Sequence, residues 1–180
     1  EPLAKYSYNS MGKPDSLTYR NGVVTRYTYD QLNRTDVLTV EDRGGQVIFS
    51  HDYDYDAESN RTNLTEATSI NGSATNRSVG YNYDELGQLD YVNYSDVAGQ
   101  RDLDFNYDVF GNRSTLASPL GLSGYAYTPG TNELASMRLT DAAHPQQSKL
   151  TTDFTYDDNG ALTQERVTRL GQPVKTVGYQ

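Results

Sequence analysis

Seven times along the chain an aromatic residue stands two positions before a tyrosine, and in five copies an aspartate comes next. The copies are Tyr6 and Tyr8, Tyr27 and Tyr29 with Asp30, Tyr53 and Tyr55 with Asp56, and Tyr81 and Tyr83 with Asp84. Phe105 and Tyr107 with Asp108, Tyr125 and Tyr127, and Phe154 and Tyr156 with Asp157 complete the set. Side chains two apart share one face of an extended strand and diverge on a helix, so the motif is a strand signal. Upstream parity agrees: Val47, Phe49, His51, Tyr53 and Tyr55 fall on one face, while Ser50, Asp52, Asp54 and Asp56 fall on the other, with Ile48 out of step. The second tyrosines, at 8, 29, 55, 83, 107, 127 and 156, are unevenly spaced. That excludes a solenoid of fixed coil length and fits hairpins with loops of varying length.

The residues just past each second tyrosine read as a reversal. Four positions beyond it stands Gly12, Gly87, Gly111 or Gly160, or Asn33, each able to take a positive φ. The aspartate side chain can accept backbone N–H groups two residues on, and Asn9 can do the same, whereas Thr128-Pro129-Gly130 requires another turn type. A second strand then begins near Leu17, Leu38, Leu64, Leu89, Leu116, Leu134 or Leu162. It closes at Asn21-Gly22, Gly44-Gly45, Asn71-Gly72-Ser73, Ala98-Gly99, Gly121 to Gly124, or Gly171-Gln172-Pro173, all hairpin chemistry. Each repeat is therefore expected to be two antiparallel strands. The whole of 1–180 is expected to be a single all-β array of β-hairpin repeats, forming a twisted, spiralling open sheet with no separate second domain.

Composition narrows function more than fold. Only 35% of residues are hydrophobic, and 16 Tyr against 4 Phe and no Trp put the burial capacity on amphipathic rings. A disordered chain would lack such regularly recurring aromatics, so a folded chain is expected. A net charge of -9 with scattered basic residues argues against a nucleic-acid partner and against an anionic membrane surface. With no cysteine there is no disulfide or thiolate site. No apolar run is long enough for a spanning helix, and Glu1 to Lys5 carries no signal segment, so membrane insertion is not expected and any export signal is expected outside this piece.

The pattern aromatic-x-Tyr-Asp-x-x-Gly-x-[Arg/Leu], preceded by a Gly turn and an arginine as in Asn21 to Tyr29, resembles the YD repeats of the Rhs family. It is also similar to teneurins and to the shells of insecticidal Tc toxins. The resemblance covers essentially all 180 residues. It implies a ribbon of hairpins that spirals into a hollow shell, enclosing a C-terminal toxic effector in bacterial members or serving extracellular adhesion. On that reading the protein is bacterial, secreted or at the cell surface, and its partners are the remainder of the array and an enclosed effector. Tyr179 looks like the first aromatic of an eighth copy, so the chain is expected to be a fragment. The family's Asp-Pro-x-Gly-Leu self-cleavage signature has its nearest string at Ser118-Pro119-Leu120-Gly121-Leu122, where serine replaces the aspartate, and no cleavage is expected there.

Individual residues point the same way. Five equivalent aspartates along a ribbon are turn residues rather than one convergent catalytic cleft, so no catalytic residue, no enzyme and no cofactor is expected. The weak metal candidate is Asp52, Asp54 and Asp56, although Ala57 occupies the calcium-loop glycine position and Asn63 that of the bidentate glutamate. His51 is expected to pack on the aromatic face, and His144 to sit in an exposed loop between Asp141 and Ser148. Asn33-Arg34-Thr35, Asn60-Arg61-Thr62 and Asn112-Arg113-Ser114 match glycosylation acceptors but fall in the repeat turn. The leading function is a non-catalytic wall, and the alternative is a module whose exposed Tyr, Asn and Asp rows bind glycans or a protein. Which face is wet is left open, and open sheet edges lead to an expectation of self-association.

Overall fold

The computed structural model describes residues 3–70, 72–95, 101–141 and 144–179, apart from the side chains of residues 145 and 146. Fifteen strands, and no helix among the described residues, succeed one another in a single open antiparallel sheet whose order is the order of the sequence. The first seven are β1 (Ala4–Tyr8), β2 (Pro14–Tyr19), β3 (Val24–Tyr29), β4 (Thr35–Glu41), β5 (Val47–Tyr55), β6 (Arg61–Ile70) and β7 (Ser73–Tyr83). The rest are β8 (Leu89–Tyr94), β9 (Leu103–Tyr107), β10 (Arg113–Ser118), β11 (Gly121–Tyr127), β12 (Leu134–Asp141), β13 (His144–Tyr156), β14 (Leu162–Arg169) and β15 (Gln172–Gly178). Every aromatic pair closes an odd-numbered strand, so the seven motifs occupy equivalent places, as hairpin repeats require.

The chain divides into two compact units, residues 1–82 with 93–98, and residues 83–92 with 99–180. Within each, the buried apolar side chains lie on the aromatic side of the sheet. In the first unit Leu17 is buried opposite Tyr6, and Val79 opposite Leu64, itself opposite Tyr53. In the second, Val92 is buried opposite Leu103. Thr25, Thr140 and Thr152 are the buried polar residues, and no described side chain is fully enclosed. Backbone pairing and one half-covered face therefore hold these units together, with no second layer of side chains on which to rely.

The hairpins share a register device that the sequence pattern does not announce. In each of the six motif hairpins whose register is described, the pairing slips by one residue at the second tyrosine. Tyr107 stands opposite Arg113 while Asn106 stands opposite Thr115, which leaves Ser114 as the extra residue of a β-bulge. The leucines expected to be equivalent divide by their distance from the second tyrosine, since the slip is common to all six hairpins. Leu17, Leu38, Leu64 and Leu116 face the first aromatic, whereas Leu134 and Leu162 face the second tyrosine.

Three local expectations change. His144 opens β13 instead of lying in a loop, because Asp141 pairs with His144 and Thr140 with Ser148, so ladder hydrogen bonds override a turn-like composition. Gly121 and Gly124 both lie in β11, Gly121 opposite Ser118, which leaves Pro119 and Leu120 as the turn after β10. Gln172 and Pro173 likewise belong to β15, leaving Leu170 and Gly171 as the turn, both at positive φ. Asn71, Ala98 and Gly99 lie outside the described residues.

Gly87 and Gly121 make a contrast that measures these constraints. At Gly87, φ is 76° with open space around an added Cβ; at Gly121, φ is 129° and a Cβ would fall on the carbonyl oxygen of Thr140. Denaturant unfolding is expected to show Gly87→Ala losing about 1 kcal/mol and Gly121→Ala about 3 kcal/mol or more.

Candidate functional site

The repeated turn is the first place where the motif's side chains act together. After Tyr107, the Asp108 N–H donates to the Asn112 carbonyl at 2.8 Å and the Gly111 N–H returns to the Asp108 carbonyl at 3.0 Å. Asp108 Oδ1 accepts the N–H groups of Phe110 and Asn112, both at 2.9 Å, and Oδ2 accepts the Asn112 side-chain amide at 3.1 Å. Asp30 and Asp84 accept the same two backbone donors, and Asn9 does so with its amide oxygen. Asp157 also accepts both, while Asp56 accepts the Asn60 N–H and side-chain amide. The fourth residue takes a positive φ throughout: Gly12, Asn33, Gly87, Gly111 and Gly160, with Ser59 in the third copy. Thr128 instead reaches Glu133, and this loop is one residue longer. Asp42, outside the motif, builds the same loop at the other margin of the sheet with Gly44 and Gln46.

These bonds set the carboxyl chemistry. Partial burial pushes the Asp30 pKa up, but the Arg34 N–H, the Arg34 guanidinium and the Leu32 N–H outweigh it and hold the carboxyl below its ordinary value. For Asp108, burial is likewise outweighed by the Asn112 N–H and amide and by the Phe110 and Gly111 N–H groups. Each aspartate is thus committed inside its own loop.

The second tyrosine links one repeat to the next. Tyr29 donates its hydroxyl to the Pro14 carbonyl at 2.8 Å, Tyr55 to Thr35 at 2.8 Å, and Tyr107 to Leu89 at 2.8 Å. Tyr127 donates to Arg113 at 3.0 Å and Tyr156 to Leu134 at 3.1 Å. Each acceptor is the first residue of the preceding repeat's second strand. Backbone pairing between repeats stops short of that residue: β2 joins β3 from Ser16 to Thr18 only, and β10 joins β11 from Thr115 onward. The phenol reaches across where the ladder ends and satisfies a carbonyl that has no strand partner on that side. This explains why phenylalanine stands at the first aromatic position in two copies and at the second in none. Burial, the main cause, raises the pKa of Tyr29 and of Tyr127 and keeps them as hydroxyl donors.

Cations close the same junctions. The Lys13 ammonium lies 4.9 Å from the centre of the Tyr29 ring and also donates to the Asn33 carbonyl. Arg34 lies 4.4 Å over Tyr55 and donates to the Asp56 carbonyl at 3.0 Å and to Ser59 at 3.2 Å. Arg113 lies over both Phe105 and Tyr125, at 5.5 and 5.3 Å. Lys13 and Arg34 each tie one repeat to its neighbour by a ring face and a turn carbonyl together, and Arg113 does so by ring faces.

The remaining candidates do not assemble a reaction centre. His51 sits edge-on to Phe49 and Tyr53, with Nδ1 3.0 Å from the Tyr53 hydroxyl and Nε2 3.0 Å from Glu66. Glu66 also accepts Arg77 at 3.0 Å; its bond to His51 is the leading cause that holds its pKa below the ordinary range. This is a cross-strand row, since His51 pairs with Glu66 and Glu66 with Arg77. Asp52, Asp54 and Asp56 are not brought together: Asp54 accepts Asn63, Asp56 serves its turn, and no group of three metal-ligating residues converges among the described residues. Asn60 and Asn112, both in acceptor-like strings, use their amides within the turn, while Asn33 takes a positive φ of 62°. The tyrosine rows are half-buried except at Tyr6 and Tyr8, so they do not form an exposed stacking platform along the array. Among the described residues no helix is long and apolar enough to cross a membrane.

No family model matches the chain, and no curated protein does. Among solved structures it is similar to a TcdB2-TccC3 complex without its hypervariable C-terminal region, at 11% identity and a TM-score of 0.47 over 91% of this chain and 11% of that one. It is also similar to the Photorhabdus luminescens Tc holotoxin pore carrying a TccC3 mutation, at 12% identity and a TM-score of 0.37 over 93% and 13%. A porin-like protein from Bacteroides uniformis gives 14% identity and a TM-score of 0.47 over 96% of this chain and 87% of that one. The chain thus spans about a tenth of the toxin chains' length.

The two aromatic positions should respond differently to loss of a hydroxyl. Tyr55→Phe strands the Thr35 carbonyl and is expected to lower unfolding free energy by about 1 kcal/mol, while Tyr27→Phe, whose hydroxyl makes no hydrogen bond among the described residues, leaves it nearly unchanged. Asp108→Ala is expected to lower the denaturant midpoint, as loss of a helix N-cap does, and Asp108→Asn to lower it much less, since Asn9 fills the role naturally. Because the folded-state pKa values of Asp30 and Asp108 are depressed, their contribution is full above the unfolded carboxylate value near 4 and is lost as pH falls through the folded values. An Asp30→Asn, Asp108→Asn double variant should flatten the acid limb of a stability-versus-pH curve.

Proposed function

We propose that the chain is a non-catalytic structural segment, a length of β-sheet wall in a larger repeat protein. The observation that carries this reading is the commitment of the recurring side chains. Each second tyrosine with a described bond, each motif aspartate and the junction cations are used in joining one repeat to the next or in closing a turn. A side chain so engaged is withheld from substrate, and a repeat so joined extends a surface. With the YD resemblance, the reading becomes a segment of a bacterial, secreted or surface-exposed shell that encloses or displays an effector, with the rest of the array as its neighbour. Adhesion through a glycan or protein ligand is the second reading, favoured only where the turn row is interrupted between the fifth and sixth repeats.

Excising one complete repeat, residues 24–46, tests the wall directly. The shortened chain should keep an all-β spectrum and a cooperative transition at a lower denaturant midpoint, because each repeat contacts only its neighbours. Collapse to an unfolded chain would contradict the modular wall. Turnover of esters, glycosides or phosphoesters by the purified chain would contradict the non-catalytic assignment.

A further inference from the structure

The sixth repeat breaks the turn pattern, and the break opens a cleft within the second unit. Its loop, from Thr128 to Glu133, is one residue longer than the others and carries Gly130 at the position where Met11, Leu32, Leu86 and Phe110 stand in four of the other turns. A hollow of about 290 Å³ results, walled by Phe110, Tyr125, Tyr127 and Pro129. A second hollow of about 200 Å³ adjoins it, shares Phe110 and Gly130, and ends at Asn132. The first is close to the small end of ligand clefts, about 300–1,000 Å³.

The lining selects the ligand chemistry. Phe110 is 80% exposed, so its ring offers an uncovered apolar face between the two hollows. Among the described residues the Ser114 and Tyr125 hydroxyls make no hydrogen bond, and Asn112 and Asn132 use only Nδ2 and Oδ1 respectively, which leaves one amide oxygen and one amide nitrogen. Free donors and free acceptors together match hydroxyl groups, which are both at once; a prolyl peptide group offers a carbonyl alone and would leave the free acceptors unused. Charge is withheld: the Asp108 oxygens are occupied in the turn, Arg113 is spread over two rings, and a chain of net charge -9 repels anions. We propose that this two-lobed cleft binds a neutral disaccharide, one ring stacked on Phe110 and its hydroxyls on Asn112, Asn132 and Ser114.

Amide ¹H–¹⁵N spectra of the 180-residue chain, titrated with maltose, cellobiose and chitobiose, test the assignment. At least one disaccharide should give saturable shifts confined to residues 108–132. Phe110→Ala, at an exposed site that does not support the fold, should weaken binding about tenfold, which corresponds to about 1.4 kcal/mol. Leu86→Ala, the equivalent exposed position in the preceding repeat's turn, should bind as the native chain does. Silence toward all three sugars overturns the proposal, as do shifts that persist at native affinity in Phe110→Ala, or saturable binding of a proline-rich peptide where the sugars give none.

Discussion

A phenolic hydroxyl donating to a strand-end carbonyl is the interaction on which the arrangement of repeats depends. Within a hairpin, backbone pairing fixes the register; between hairpins, the described pairing ends before the tyrosine margin is reached. An unsatisfied carbonyl at such a place is costly wherever water is excluded, and the ring that covers it also delivers the donor. One residue type thus supplies apolar cover, a hydrogen bond and a platform for a neighbouring cation. That triple use accounts for a chain with 16 tyrosines, no tryptophan and only three buried apolar side chains among the described residues.

The turns make this possible by holding the second tyrosine in one pose. The bulge beside it, the Asx bonds behind it and the left-handed fourth residue act on the same five-residue stretch. Asn33 and Ser59 occupy a conformation that glycine adopts freely, at φ values of 62° and 72°. In both cases the neighbouring repeat supplies a contact, Lys13 to the Asn33 carbonyl and Arg34 to the Ser59 hydroxyl.

Much of this is legible in the sequence, because a period of two and a turn signal are local. The strand positions of the seven motifs, the Asx chemistry of Asn9 and Asp30, and the different turn at Thr128 all come from nearest neighbours along the chain. The bulge does not, since an extra residue opposite the tyrosine looks like any other residue until the partner strand is known. Treating the leucines as equivalent merges two sets that already differ in distance from the second tyrosine, and only the pairing shows that one set faces the first aromatic and the other the second. The hydroxyl bonds are hidden for a similar reason: their acceptors are backbone atoms of another repeat, although the absence of phenylalanine at the second position is a readable sign. At His144 composition misleads, because it describes preference, whereas pairing with β12 decides the outcome.

The two margins of the sheet have unequal freedom. At the tyrosine margin, six of the seven reversals between odd and even strands keep the same length. At the opposite margin, strands range from the five residues of β9 to the thirteen of β13, and the closing turns differ in kind. Insertions and deletions can accumulate there without disturbing the next repeat. Evolution of such an array can therefore keep one rail constant and diversify the other, so that lineage-specific length variation gathers on a single side.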